Sequence, residues 1–407
     1  MSANTVIIVV SSLIILSYLF NIIGRWIKVP SVLLLIGTGI AVNNLSETFG
    51  WERFTVTQPV EVLGTIGLIM IVLEAALDLK LEREKVPLIR NSFFSALVIF
   101  VFSVVLISGL IHFWLEEPLL NSIVYATPLS IISSAIAIPS AEVLQHDKKE
   151  FIVYESSFSD IIGIIVFNYV IMDEVLSFGA FGSFLTSLLL AIGLSLVSTV
   201  VLSFLLANIR INLKFFLLFA ILLLLYSTGK IIHLPSLLMI LVFGLLLNNH
   251  EVFRNTRSTK VNALMRKFMD SKTIEELMVV LKSITAETAF LIRTFFFVLF
   301  GYTIDISFVS NPDVILIGSS IVGILLLIRF LYLRMILKTN LFPELFLMPR
   351  GLITILLFYS IPEKNKLNNF NEGILFFVVI ATGLLMTVGL LFYKEDKALY
   401  HNTDVSI

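Results

Sequence analysis

The sequence has no cysteine, so disulfides, thiol nucleophiles and thiolate-bound metal or iron–sulfur sites are excluded. It is also short of charge. Asp, Glu, Lys and Arg make up 14% of its 407 residues, against about a quarter in a soluble domain. The five histidines are scattered without metal-ligand spacing, and no glycine-rich phosphate loop occurs. Soluble-enzyme motifs are therefore missing, and neither catalysis nor a cofactor is expected. A net charge of −1 gives no footprint for nucleic acid. The first apolar run has no basic lead-in and no small-residue cleavage site, and so reads as a retained helix rather than a signal peptide.

What is present is apolar sequence from end to end: 58% hydrophobic residues, 35 Phe and a mean hydropathy of +1.00. The chain reads as an all-α polytopic membrane protein with about thirteen spans. They fall near 4–24, 29–46, 61–80, 91–115, 120–145, 150–172, 180–208, 212–230, 233–249, 283–304, 312–337, 341–362 and 371–393. The longest connection, about 250–282, is polar and amphipathic and too charged to cross a bilayer. Loops after odd-numbered spans hold Arg25, Lys28, Lys80, Arg83, Lys85, Arg90, Lys148, Lys149, Arg210, Lys214, seven cations in 250–282, and Lys338. Loops after even-numbered spans hold only Arg53, Lys230, Lys364 and Lys366. Basic residues stay on the cytoplasmic side, which puts the N-terminus outside and the C-terminus inside.

The sequence also repeats itself. KVPSVLLLIGTGIAVNN (28–44) matches HLPSLLMILVFGLLLNN (233–249). IVLEAALDL at the end of span 3 matches LFGYTIDIS at the end of span 10, and ATPLSIISSAIAIP in span 5 has a weaker echo in LMPRGLITILLFYSIP in span 12. Each pair is seven spans apart, and an odd offset reverses the direction of insertion. Two inverted six-helix repeats follow, about 4–172 and 212–393, joined by a linker helix at about 180–208, with 394–407 as a short cytoplasmic tail. The whole forms a single membrane transporter domain, because inverted repeats suit two related conformations that face opposite sides.

Spans 5 and 12 are interrupted at matched positions, by Thr127-Pro128 and Pro139 in one and by Pro349-Arg350-Gly351 in the other. Proline removes a backbone donor, and freed carbonyls are tolerated at membrane depth only where protein or a cavity receives them. Crossing broken helices point to a site between them, with Arg350 placed to neutralise half-helix C-terminal dipoles. By helical rise, Asp160 lies about 15 Å deep, at the midplane, while Glu155 lies about 8 Å and Arg329 about 12 Å deep. Glu155 and Arg329 can meet as an ion pair that offsets both desolvation terms. Glu74 sits near the cytoplasmic end of span 3 and reads as the nearest unpaired acid; Asp78 and Asp305 read as solvated helix ends. Asp160 is the candidate exchanging group. Carboxylate, hydroxyl and carbonyl oxygens suit a hard monovalent cation, and Ser156, Ser159 and Thr127 stand near it in the sequence pattern. A carboxylate at low dielectric holds a proton or a cation, but not both favourably.

Taken together, ESSFSD, GLIMIVLEAALDL, the Thr-Pro break, the arginine of span 11 and PRGLIT resemble the monovalent cation:proton antiporter superfamily, and more closely its sodium/proton exchanger branch, over nearly the whole chain. The resemblance implies a homodimer in which a dimerisation domain holds a mobile six-helix core that moves in an elevator-like manner. It further implies an ion- and proton-binding role for Asp160, a structural ion pair for Glu155 and Arg329, and places at or near the ion site for Thr127, Ser156 and Glu74. The expected activity is exchange of Na⁺ or Li⁺, with K⁺ also open, for H⁺ in pH homeostasis, in a prokaryotic inner membrane. The sequence departs from the family at Ser159, where electroneutral members carry Asn and electrogenic members Asp. Serine brings an acceptor hydroxyl but no amide, and the lack of a second acid favours one charge exchanged for one. After Lys394–Lys397 no nucleotide-binding domain is read, so regulation by pH or a separate protein is expected. Two other readings stay open: a sodium-coupled organic-anion symporter, and a channel or sensor on a transporter scaffold.

Overall fold

The computed structural model describes residues 3–48, 58–172, 178–208, 214–232, 234–249, 271–304, 307, 310–338 and 341–393. Asp305, most of the 250–282 connection and the 394–407 tail lie outside the described residues. The described residues form helices and the turns and extended segments between them, with no strand. In order the helices are α1 (Ala3–Ile27), α2 (Ser31–Thr48), α3 (Gln58–Asp78), α4 (Val86–Leu115), α5 (Leu119–Ser130), α6 (Ser134–Ser140), α7 (His146–Val170), α8 (Phe178–Asn208), α9 (Lys214–Ile231) and α10 (Ser236–Asn248). They continue with α11 (Ser271–Thr303), α12 (Pro312–Leu331), α13 (Leu352–Tyr359) and α14 (Gly373–Phe392).

Seven stretches among the described residues are long and apolar enough to cross a membrane: Ile7–Gly24, Val86–Leu115, Leu119–Val143, Gly182–Leu202, Leu281–Thr303, Pro312–Leu337 and Gly373–Phe392. Shorter apolar helices cover Ser31–Ser46, Phe216–Ile231 and Ser236–Asn248. Helix α7 is not in this set, because it carries four charged residues before Phe151 as well as Glu155 and Asp160. Outward faces of α1, α8 and α12 present Ile7, Ile15, Ile22, Leu189, Val197, Leu316 and Leu327, as lipid-facing helices do.

Local chemistry sets the helix ends. Asn311 caps α12 by accepting from the Asp313 amide at 3.0 Å, with Pro312 in the first turn. Helix α4 stops at Glu116, whose φ of 54° is left-handed, and the corner after α1 turns at Lys28 in the same way. Between α3 and α4, Lys85 reaches Glu82 at 3.2 Å and Glu150 at 2.5 Å, tying that connection to the start of α7. Hydrogen bonds from Lys80 and Lys85 hold the Glu82 carboxyl below the usual carboxylate range.

Span 5 divides into α5 and α6 around extended residues Ile131 and Ser133. Span 12 differs more from the sequence reading of one interrupted helix. Its first half is a single 3₁₀ turn, Glu344–Phe346, followed by non-helical Leu347–Gly351, and only α13 is regular. Pro343 and Pro349 each remove a donor and push the preceding residue out of the helical region. The last turn of span 11 widens to π-helix over Tyr332–Leu337.

Packing sorts the helices into two groups. Helix α11 lies along α2 and α3, while α10 packs on α3, α8 and α9. On the other side α4 packs on α5, α7 and α12, with α12 on α14 and α5 on α13. Contacts between the groups are sparse and run through α7–α10, α3–α6, α11–α13 and α2–α14.

The tightest crossing in the first group is α2 on α11. A Cβ on Gly39 would run into the backbone of Val298, Gly301 and Tyr302, and one on Gly301 into the backbone of Ile36. Backbone cannot yield as a flexible side chain can. Gly39→Ala and Gly301→Ala should therefore each lower stability by about 1–3 kcal/mol. Gly109 on α4 has nothing within 4 Å of such a Cβ, so Gly109→Ala should be neutral or slightly stabilising. Thermal melting in detergent checks the contrast; equal behaviour of the three variants would remove the close crossing.

Candidate functional site

The site forms where the two unwound segments cross. The Ser133 amide donates to the Pro349 carbonyl at 2.9 Å, joining the break in span 5 to the break in span 12. Arg350 is 1% exposed, and every hydrogen bond of its side chain goes to a carbonyl: Nε to Leu129 at 2.9 Å, Nη1 to Met348 at 2.6 Å and Nη2 to Ser130 at 3.2 Å. Leu129 and Ser130 end α5, so the guanidinium receives carbonyls that the helix can no longer satisfy. Pro128 in the last turn of α5 helps end that helix, and Pro349 supplies the carbonyl of the crossing. The Arg350 amide in turn donates to Thr382 Oγ1 on α14 at 3.0 Å.

Helix α7 passes beside this crossing and presents Ser159 and Asp160 to it. Ser159 Oγ accepts from the Ile132 amide at 2.9 Å, and Asp160 Oδ2 accepts from the Ser134 amide at 3.2 Å. Ser159 thus bridges α7 to the unwound segment as an acceptor, without needing an amide side chain. Asp160 is 1% exposed, and its Oδ1 has no hydrogen-bond partner among the described residues. The buried hydroxyls of Ser133 in the break, Ser157 on α7 and Thr354 on α13 likewise have no hydrogen-bond partner among the described residues. Thr127 and Ser156 spend their protons inside their own helices, on the Ile123 carbonyl at 2.8 Å and the Ile152 carbonyl at 2.7 Å, which leaves oxygen lone pairs free.

Five residues before Asp160 on the same helix, Glu155 meets Arg329 in a two-point pair, Oε2–Nη2 at 2.7 Å and Oε1–Nη1 at 3.1 Å. Both side chains are fully enclosed. Ser95 Oγ donates to Oε1 at 2.5 Å, and Arg329 Nε donates to the Glu344 carbonyl at 2.7 Å. The pair therefore ties α7, α4 and α12 to the 3₁₀ turn that begins span 12.

Glu74 corrects the sequence reading. It is not unpaired: Arg293 on α11 holds it through both guanidinium nitrogens, Nη1 on Oε2 and Nη2 on Oε1, the latter at 3.2 Å. Sequence reasoning missed Arg293. The depth rule applied to Arg329 would have found it, since it stands about ten residues inside span 10, or about 15 Å. Glu74 and Arg293 line a cavity of about 40 Å³ with Asp78, Ser134, Ala135, Ile138 and Pro139. Ser134, whose amide holds Asp160, thus separates the carboxylate from this space. Two wider cavities of about 250 Å³ each share Ala135 and Pro139 with it; both reach Glu142, and one extends to Lys28.

The sequence matches the family described as sodium/hydrogen exchanger, transmembrane, over residues 9–393. The chain belongs to the sodium/hydrogen exchanger family. The fold is similar to that of the sodium proton antiporter MjNhaP1 from Methanocaldococcus jannaschii. One structure of that protein, at pH 8, gives a TM-score of 0.62 at 20% identity over 96% of this chain and 95% of that one. A second, from electron microscopy, gives 0.67 at 16% identity over 97% and 100%. Among curated proteins no significant sequence match was found. As an exchanger-family chain with its apolar helices, this is an integral membrane protein.

Removing one member of a fully buried ion pair leaves an uncompensated charge, a loss of about 3–5 kcal/mol. Glu155→Ala and Arg329→Ala should each lower the melting temperature in detergent, and the double variant should lose clearly less than the sum. Strict additivity would show that the two side chains are not coupled.

Proposed function

We propose that this exchanger-family chain is a secondary antiporter in which a monovalent cation and a proton compete for Asp160. The observation that carries the reading is the state of that carboxylate. It is buried beside two broken helices, held by one backbone amide on Oδ2, and has an open Oδ1. A charged group so placed needs either a proton or a cation at that oxygen. Ser159, Ser156, Thr127 and the freed backbone of the crossing supply further oxygen atoms of the kind that Na⁺ or Li⁺ accepts. The series of cavities from Lys28 and Glu142 to Ser134 is the entry path, on the side that basic-residue placement makes cytoplasmic.

Exchange is electroneutral on this reading. Glu155 is neutralised by Arg329 and Glu74 by Arg293, which among the described residues leaves Asp160 as the carboxylate at the crossing with no cation against it. Ser159 holds no second proton. The architecture proposed is thirteen spans in two inverted repeats, with α4–α7 and α12–α14 as a core that moves against the other helices in a homodimer. The sparse contacts between the two helix groups support such movement.

The test is ion-driven proton flux in proteoliposomes with Na⁺, Li⁺ and K⁺, followed by the reversal point at fixed gradients under an imposed potential. A potential of 100 mV is worth about 2.3 kcal/mol per charge moved, so a one-for-one exchange keeps its reversal point. Asp160→Asn should fall to background flux while remaining folded. A reversal point that moves with potential would mean a second charge carrier, and wild-type-like flux in Asp160→Asn would remove that residue from the mechanism.

A further inference from the structure

Arg293 has a part in cation binding that rests on the proposed exchange at Asp160. Glu74 and Arg293 both belong to the helix group that holds α1, α2, α3 and α11, yet their side chains line the same small cavity as Ser134, Ala135 and Pro139 of the broken span. Asp78 lines it too, within electrostatic reach of Lys282 and Arg293. The charged groups lining this cavity are therefore Glu74, Asp78 and Arg293, with Lys282 close enough to act on Asp78. The Glu74–Arg293 pair is 17% and 14% exposed, so solvent screens it only partly. A two-point guanidinium–carboxylate pair is rigid and directional, and Glu74 spends both oxygens on it.

We propose that Arg293 is a positioning residue that sets cation affinity: it keeps the carboxylate of Glu74 occupied, so that Glu74 puts no unopposed charge on the cavity behind Ser134 and the cation is held at Asp160 and the oxygens beside it. The pairing of Glu74 has a functional consequence. An unopposed carboxylate beside the path would trap the cation and slow its release, whereas an unopposed guanidinium would repel it. A salt bridge that merely braces α3 against α11 makes no such prediction, because losing either partner would loosen the fold in the same direction.

The experiment measures the apparent KM for Na⁺ and the maximal rate of Na⁺-driven proton flux in proteoliposomes for wild type, Arg293→Gln, Glu74→Gln, Arg293→Lys and the double Glu74→Gln/Arg293→Gln. A unit charge about 10 Å from the ion, at an effective dielectric constant of about 20, changes affinity about tenfold. Arg293→Gln should lower KM about tenfold with a reduced maximal rate. Glu74→Gln should raise KM about tenfold. The double variant and Arg293→Lys should stay close to wild type. Should Arg293→Gln fail to fold with its acid unpaired, Glu74→Gln and the double variant decide alone, because KM must be well above wild type in the first and return toward it in the second. A double variant as weak as Glu74→Gln would overturn the proposal and make Glu74 a direct cation ligand. Shifts of the same sign in both single variants would reduce the pair to a brace. If the wild type itself exchanges no cation for protons, the antiport reading fails separately, and equilibrium ²²Na⁺ binding to the same variants, with the same order of affinities expected, still decides the role of Arg293.

Discussion

A helix can be broken in the middle of a membrane only if something receives the carbonyls it releases, and in this chain Arg350 is that group. Its guanidinium takes carbonyls from Leu129 and Ser130 at the end of α5 and from Met348 in its own unwound segment. In hydrocarbon each such group left unsatisfied would cost several kcal/mol. With them satisfied, the chain can stay extended through Ile131 and Ser133, and the amides of Ile132 and Ser134 are released from helical duty. Those two amides are the ones that hold Ser159 and Asp160. The site therefore follows from the break, and the break from the buried cation.

The same constraint separates the carboxylates by role. Glu155 is desolvated as completely as Asp160, but it has a two-point arginine and a serine donor around it. A charge so fully compensated has little to gain from a proton or a transported ion, and it belongs to the frame. Glu74 is partly exposed and also has an arginine, but it faces a cavity. Asp160 has a single backbone donor and an open oxygen. Three acids of one chemistry thus divide into frame, cavity wall and proposed exchanging group by the number and kind of their partners.

Much of this was legible in the sequence because bilayer constraints are strong. Apolar runs mark helices, matched prolines mark the breaks, and equal depth from the same side brings Glu155 toward Arg329. The missing parts depend on which way a helix face turns, which length and hydropathy do not encode. Arg293 pairs with Glu74 across 219 positions of sequence, and nothing local to either residue announces the other. Ser95, which completes the shell of Glu155, reads as one more small residue on α4. Ser159 departs from the family residue, yet its hydroxyl oxygen suffices because the group it meets is a donor, the Ile132 amide. Prolines indicated that span 12 was interrupted, but not that its first half would keep only one 3₁₀ turn.

The central claim is that cation and proton occupy the same carboxylate in turn. Its most direct measurement is proton release from purified protein in weak buffer as Na⁺ or Li⁺ is added, with bound cation counted in parallel. The account predicts about one proton released per cation bound at pH values where Asp160 starts protonated, tapering to none as the pH rises, and no release from Asp160→Asn. Cation binding without proton release across the whole pH range, or equal release from Asp160→Asn, would contradict it.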